Sequence, residues 1–310
     1  MKVGKQQQPV QNFKIIERKK TKGMNLSFYI VDVFAEKKYA GNQLAVFEGA
    51  ADLSEQEMQQ IAREINFAES TFITKLDYEN SAATIRIFTP EYEMKFAGHP
   101  IIGTSWVLMH KILENQPEKI EVTVPVGEIS VHQSGDLIWL QAAQPEFLDT
   151  FSAADFLSFS NLSISDFDAS FPVQEVTTGS AFVIVPVNNK KVLENLILDK
   201  NKMNEWLLSH CKTNHRALYF YYLEGNKLIS RMLCIEDNQL KEDAATGSAS
   251  TCLQAFLLKY YAPQIQIINH QGDFINRPSQ IYFDGKLTEN HFDIKIGGKS
   301  QFVAKGEWEV

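Results

Sequence analysis

Two stretches of this chain follow one plan. TIRIFTPEYEMKFAGHPIIGTSWVLMH (84–110) is a β-like run, a charged turn, a glycine-bearing loop and then a helix that is apolar on nearly every side. LISRMLCIEDNQLKEDAATGSASTCLQAF (228–256) has the same parts in the same order. Aligning Gly103 with Gly247 sets Arg86 against Arg231, brings Glu91 near Glu236 and places His99 opposite Asp243, with an offset that stays nearly constant from strand into helix. AGNQLAVF (40–47) has a looser counterpart in TTGSAFVIV (177–185). A helix without a polar face has to be covered all round. The runs FYIVDVF, QLAVFE, STFITKL, ATIRIF, IEVTVPV and LIWLQAA are rich in Val, Ile, Phe and Thr and read as the strands that cover it. The expected fold is α+β: two pseudo-symmetric halves, each a curved, mostly antiparallel β-barrel around a central buried helix.

The expected boundaries are a basic tail at 1–23, a first half at 24–148 and a second half at 149–300, with a strand at about 301–310 as a candidate to return to the first. Two helices are expected in the first half. One covers about 55–65, where Ser54 and Glu57 form a capping box and Met58, Ile61 and Ile65 recur at helical spacing. The other covers 101–113 and should be buried on every side up to His110. The tail carries seven Lys/Arg against one Glu, reads as a segment that cannot bury itself, and is followed by Met24, a candidate functional start. With the tail at +6 and the whole chain at −8, the body is −14, which argues against a nucleic-acid groove. No apolar run approaches a membrane span, and FYIVDVFA reads as a core strand interrupted by Asp32 rather than a signal peptide. Three cysteines, Cys211, Cys234 and Cys252, fit neither a disulfide framework nor a paired metal spacing, so a cytoplasmic location is expected and no metal site.

Each central helix opens at its N-terminus, and both mouths can face one cleft between the halves. A helix N-terminus offers unpaired N–H groups and partial positive charge, which together make an anion site. Here titratable side chains stand beside it, His99 in one half and Asp243 in the other. In NFAESTFI, strand alternation puts Phe67, Glu69, Thr71 and Ile73 on one face. Glu69 is then either an edge carboxylate in solvent or a buried acid with a raised pKa, as proton transfer wants. His210, Cys211 and His215 lie close in sequence, but no second ligand cluster accompanies them, and a surface helix end is the expected reading. Ser248 has no G-x-S-x-G elbow around it and reads as a first-turn hydroxyl.

VDVFAEKKYAGNQLAVF, IAREINFAESTFI, RIFTPEYEMKFAGHPIIGTS, EDAATGSAS and QGDFINRPS, in this order between about Val31 and Ser279, resemble the motifs of the phenazine-biosynthesis isomerase (PhzF-like) family. The resemblance implies a diaminopimelate-epimerase-like fold with the site between the halves, isomerisation of a small carboxylate without cofactor or metal, and a homodimer. It implies a catalytic carboxylate at Glu69, assisting groups at His99, Asp243 and Ser248, and substrate-facing positions at Asn42, Gly98 and Gly247. Gln43, Lys95 and Asn276 depart from the family's pattern; Asn276 stands where glycine is usual, and Lys95 is expected to affect the rim and substrate choice. Related epimerases use a cysteine at each helix mouth, whereas Cys252 falls inside the helix, so a two-thiol mechanism is not expected. Two other readings stay open from sequence: an amino- or hydroxy-acid racemase on the same scaffold, and a non-catalytic small-molecule-binding protein.

Overall fold

The computed structural model describes residues 23–211, 217–236 and 238–310. The basic tail, Gly23 apart, lies outside the described residues, as does His215. The first half runs β1 (Asn25–Val33), β2 (Asn42–Glu48), α1 (Glu55–Ile65), β3 (Glu69–Asp77), β4 (Ala82–Phe88), β5 (Glu93–Met94), α2 (Gly98–Val107), β6 (Lys119–Val124), β7 (Gly127–Ser134) and β8 (Leu137–Gln141). The second runs β9 (Glu146–Phe151), α3 (Ala153–Phe156), β10 (Val173–Thr177), β11 (Ala181–Pro186), α4 (Lys190–Glu194), α5 (Lys200–His210), β12 (Ala217–Glu224), β13 (Lys227–Glu236), β14 (Gln239–Asp243), α6 (Gly247–Tyr260), β15 (Gln264–Gln271), β16 (Ser279–Thr288) and β17 (His291–Gly298). The last strand is β18 (Ser300–Glu309).

The pairing repeats more closely than the sequence does. In the first half β18, β1, β2, β3, β4, β6, β7 and β8 lie side by side, the contacts running antiparallel, antiparallel, parallel, antiparallel, parallel, antiparallel, antiparallel. The second half has the same series through β9, β10, β11, β12, β13, β15, β16 and β17. β5 is a hairpin strand on β4, and β14 holds the same place on β13. β8 pairs with β17 and joins the two sheets. β18 pairs with β1 from Asn25↔Glu309 to Val33↔Ser300, and β9, which straddles residue 148, pairs with β10.

Both sheet faces are covered, which is why the strands read as near-continuous apolar runs. In β2, Leu44 and Val46 enter the central core while Ala45 and Phe47 pack with Met58 and Ile61 of α1 on the outer face. In the second half Val183, Val185, Leu218 and Phe220 face Met203, Trp206 and Leu207 of α5. Inside, α2 lies against β1, β2, β3, β6, β8 and β18, and α6 against β10, β11, β15, β16 and β17. Along α6, Cys252, Leu253, Phe256 and Leu257 are fully buried. Each fully buried apolar side chain of this size contributes roughly 1.5–3 kcal/mol, so a helix wrapped on every side is held far more by its sheet than by its propensity. Among the described residues no helix is long and apolar enough to cross a membrane.

Two sequence expectations are corrected here. The central helix of the first half starts at Gly98, earlier than expected, and its final turn at Leu108–Ile112 is π-helical. The constant offset between the repeats also fails. Arg86 and Arg231 do correspond, for each sits in its hairpin and grips a carboxylate across it, Glu93 in one case and Glu242 in the other. The first hairpin, however, is closed by Ile87↔Met94 and the second by Met232↔Asp243, so the second is longer and shifts everything after it. Gly247 therefore corresponds to Gly98, the first residue of its helix, and His99 to Ser248. Asp243 corresponds to Met94, and Gly103 is a packing position where a Cβ would stand 2.6 Å from Leu44 and Val33.

Candidate active site

α1 ends on Asn66 in the left-handed region (φ 55), and the chain turns directly into β3 with Glu69 as its first residue. From Glu69 onward the expected alternation is present. Thr71 reaches inward to the Thr104 hydroxyl of α2 at 2.8 Å, and Ile73 joins the central core. Glu69 Oε2 lies 3.3 Å from His99 Nε2, with the two side chains 15% and 5% exposed. Burial, reinforced by the charges of Asp243 and Glu236, pushes the Glu69 carboxyl well above the usual carboxylate range. Burial likewise holds His99 down at about 3, against a hydrogen bond to the Gln43 backbone. The contact is therefore a neutral imidazole beside a carboxyl group at neutral pH, not an ion pair. Neither Oε2 nor Nε2 has a hydrogen-bond partner among the described residues.

The central helices meet mouth to mouth. A Cβ on Gly98 would stand 3.4 Å from the Gly247 Cα, and one on Gly247 would stand 3.3 Å from the His99 backbone nitrogen. A side chain at Gly98 would just touch the facing helix start, and one at Gly247 would press on it and on Ile296 at 3.2 Å. The starts are also uncapped, unlike those of α1, α4 and α5, where Ser54, Asn189 and Asp199 accept first-turn N–H groups. α2 is preceded by Ala97, which has no side-chain acceptor, and Thr246 makes no side-chain cap for α6. The first helical bonds are Ile101 N–H to Ala97 and Ser250 N–H to Thr246. The amides of Gly98, His99, Gly247, Ser248 and Ala249 stand ahead of them, and two positive helix ends converge on one place. Ser248 is half-buried in the first turn of α6 and lines the same cavity.

Asp243 ends β14 and faces this point. Its carboxylate accepts from the Asn42 amide at 2.7 Å and from the Thr246 hydroxyl at 2.6 Å. Asn42 also donates to the Ala245 carbonyl at 3.0 Å, so its amide is spent behind Asp243, and it is not among the residues lining the cavity. Asn42, expected to face the substrate, has its side-chain amide engaged in support of Asp243. Burial, with the Glu236 charge, pushes Asp243 up to about 6, against the Thr246, Asn42 and Ala244 hydrogen bonds that favour the anion. The folded protein therefore holds this proton more tightly than the unfolded chain. Between about pH 4 and about pH 6 the unfolded chain loses its proton first, and stability falls as pH rises, by on the order of 3 kcal/mol once ionised. Asp243→Asn accepts the same Asn42 hydrogen bond without the charge. Its melting temperature relative to the parent should be roughly 5 °C higher at pH 7.5 than at pH 4, the loss of the Thr246 hydrogen bond weighing equally at both. An equal offset at both pH values would contradict the assignment.

The cavity holding these groups is about 710 Å³. Its walls come from the matching hairpins: Tyr92 and Met94 on one side, Met232, Cys234, Glu236 and Lys241 on the other. Glu236 pairs with Lys241 at 3.7 Å across its own hairpin. Sequence reasoning missed Tyr92, Glu236, Lys241 and Thr246; alternation along β13 from Met232 would have pointed Glu236 inward. Lys95 is exposed and does not line the cavity, so the rim position expected of it falls to those hairpin residues. Asn276 does adopt the left-handed conformation (φ 59) that glycine would take.

The family and the named relatives define the class, an isomerase. The family model described as phenazine biosynthesis-like protein matches residues 31–306, and the chain belongs to that family. The chain is 32% identical over 289 residues to trans-2,3-dihydro-3-hydroxyanthranilate isomerase of Pseudomonas aeruginosa, covering 90% of this chain and 98% of that one. It resembles the crystal structure of the Bacillus anthracis phenazine biosynthesis protein of the PhzF family with a TM-score of 0.81 at 24% identity, over 93% and 100% of the two chains. A probable proline racemase from Agrobacterium radiobacter shares the fold alone, with a TM-score of 0.61 at 9% identity over 91% and 92%.

Proposed function

We propose that the protein isomerises a small unsaturated carboxylate by moving a proton between carbons, with no cofactor. The observation that carries this reading is Glu69: a buried carboxyl, raised in pKa, facing a neutral histidine and two converging helix mouths. The substrate carboxylate is held by the amides of Gly98, His99, Gly247 and Ser248, with the Ser248 hydroxyl beside them. Glu69, as carboxylate, removes a proton from a carbon conjugated to that group. The electron pair delocalises toward the helix mouths, and the proton is returned to another carbon by the Glu69 carboxyl, with His99 and Asp243 orienting the substrate and assisting its return. A carboxyl raised above its ordinary range is a stronger base for such a transfer than an ordinary carboxylate.

The relative from Pseudomonas aeruginosa supplies the first substrate to try, trans-2,3-dihydro-3-hydroxyanthranilate, beside a panel of small unsaturated carboxylates. Run in D₂O, the reaction should place deuterium at the carbon that receives the proton. Partial incorporation is expected where one carboxyl carries the proton across a closed cleft. Conversion that depends on an added nicotinamide or flavin would refute the reading.

A further inference from the structure

Thr246 stands at the N-cap of α6, yet caps nothing. A threonine there ordinarily turns its oxygen to a first-turn N–H. Here the oxygen accepts from the Gln271 amide at 3.0 Å, and the hydroxyl proton goes to Asp243 Oδ2 at 2.6 Å. The same Gln271 amide also donates to the Asp243 carbonyl at 3.0 Å, and its Oε1 accepts from the Thr246 N–H at 3.3 Å and the Tyr219 hydroxyl at 2.8 Å. Tyr219 is fixed in turn by Ser230 at 3.0 Å and Asn269 at 2.7 Å. Gln271, Tyr219, Ser230 and Asn269 are fully buried. Among the described residues Asn269 Oδ1 has no partner, but the atoms that fix Gln271 and the Tyr219 hydroxyl are all engaged, and such a network strongly limits the geometries it allows.

We propose that Thr246 and Gln271 are positioning residues for Asp243: Gln271 occupies the acceptor side of the Thr246 hydroxyl and so directs its proton to the Asp243 carboxylate, leaving the first amides of α6 uncapped for a substrate anion. In the other half the same end is reached more simply, because Ala97 has no side-chain acceptor to offer. The proposal rests on Asp243 belonging to the reaction. The titratable and charged groups around Asp243 are Glu69 on β3, His99 on α2, Glu236 and Cys234 on β13, Lys241 on its own strand and Tyr219 on β12. Among the described residues none of these groups donates to the Asp243 carboxylate; against burial, the hydrogen bonds that favour its anion come from the Thr246 hydroxyl, the Asn42 amide and the Ala244 backbone.

The test titrates Asp243 in the free protein by carbon NMR of aspartate labelled at the side-chain carboxyl, the signal being assigned by its loss in Asp243→Asn. The midpoint should lie near 6 in the parent. It should rise by about one pH unit in Thr246→Val, rise in Gln271→Leu, and return to the parent value in Thr246→Ser, which keeps the hydroxyl. Midpoints unchanged in both Thr246→Val and Gln271→Leu, or raised equally in Thr246→Ser, would overturn the proposal. Thr246→Val removes only a hydroxyl and keeps the branched shape, so it covers the case in which Gln271→Leu fails to fold. No substrate enters this titration. Its failure is therefore distinct from failure of the proton-shift reading, which is judged by deuterium incorporation and by the activity of Asp243→Asn.

Discussion

Glu69→Gln should lower turnover by about 10²–10⁴-fold, the usual worth of a general acid–base group, without lowering stability. Gln keeps the volume and one carbonyl acceptor of the side chain but cannot take a proton. In the parent, desolvation and the charges of Asp243 and Glu236 all push the buried carboxyl toward its neutral form. A neutral amide in the same place removes that conflict. Deuterium incorporation from D₂O should fall with turnover, while the urea midpoint stays the same or rises. Retained turnover would remove Glu69 from the reaction. Lost turnover accompanied by a lower midpoint would mean that the side chain acts by holding the fold.

Arg277→Met should cost about 3–5 kcal/mol, the usual consequence of leaving one partner of a buried ion pair alone. Arg277 donates to Asp32 Oδ1 at 2.7 Å, to the Gly41 carbonyl at 2.9 Å and to the Ala40 carbonyl at 2.9 Å. Asp32 is 2% exposed and also accepts the Tyr39 N–H at 2.6 Å. The pair ties the loop after β15 to the turn before β2, and thereby the neighbour of Asn42 to the neighbourhood of Asp243. Ser279 adds a second tie by donating to the Ala244 carbonyl at 2.8 Å. Urea unfolding would show the loss as a lower midpoint at unchanged slope. Adding Asp32→Asn to Arg277→Met should recover part of it, because the stranded charge is gone. A loss below about 1 kcal/mol would show the pair to be solvated in the way surface bridges are.

What the sequence disclosed and what it withheld divide along a physical line. The capping box at Ser54 and Glu57, the wholly apolar helices and the inward face of Glu69 are local patterns, set by spacings of two to four residues. The repeat was visible in its strands because Arg86 and Arg231 keep the same partner across the same hairpin. It failed past the turns because loop length is free to drift where strand pairing is not. The rest of the cleft is non-local. Asn42 meets Asp243 across 201 positions, and Thr246 meets Gln271 across 25, through the parallel pairing of β13 with β15. No periodicity announces such meetings, and nothing local to Asn42 shows that its amide supports Asp243.

The pairing of β18 with β1 bears on how the molecule is made. Every strand of the second sheet lies within residues 146–298, so that sheet has all its parts as soon as residue 298 has left the ribosome. The first sheet has most of its strands far earlier, but β1 keeps one bare edge until residues 300–309 arrive. An unpaired edge is an invitation to foreign strands. The half made first is thus expected to be the half sealed last, and for most of translation to be the one in need of a chaperone.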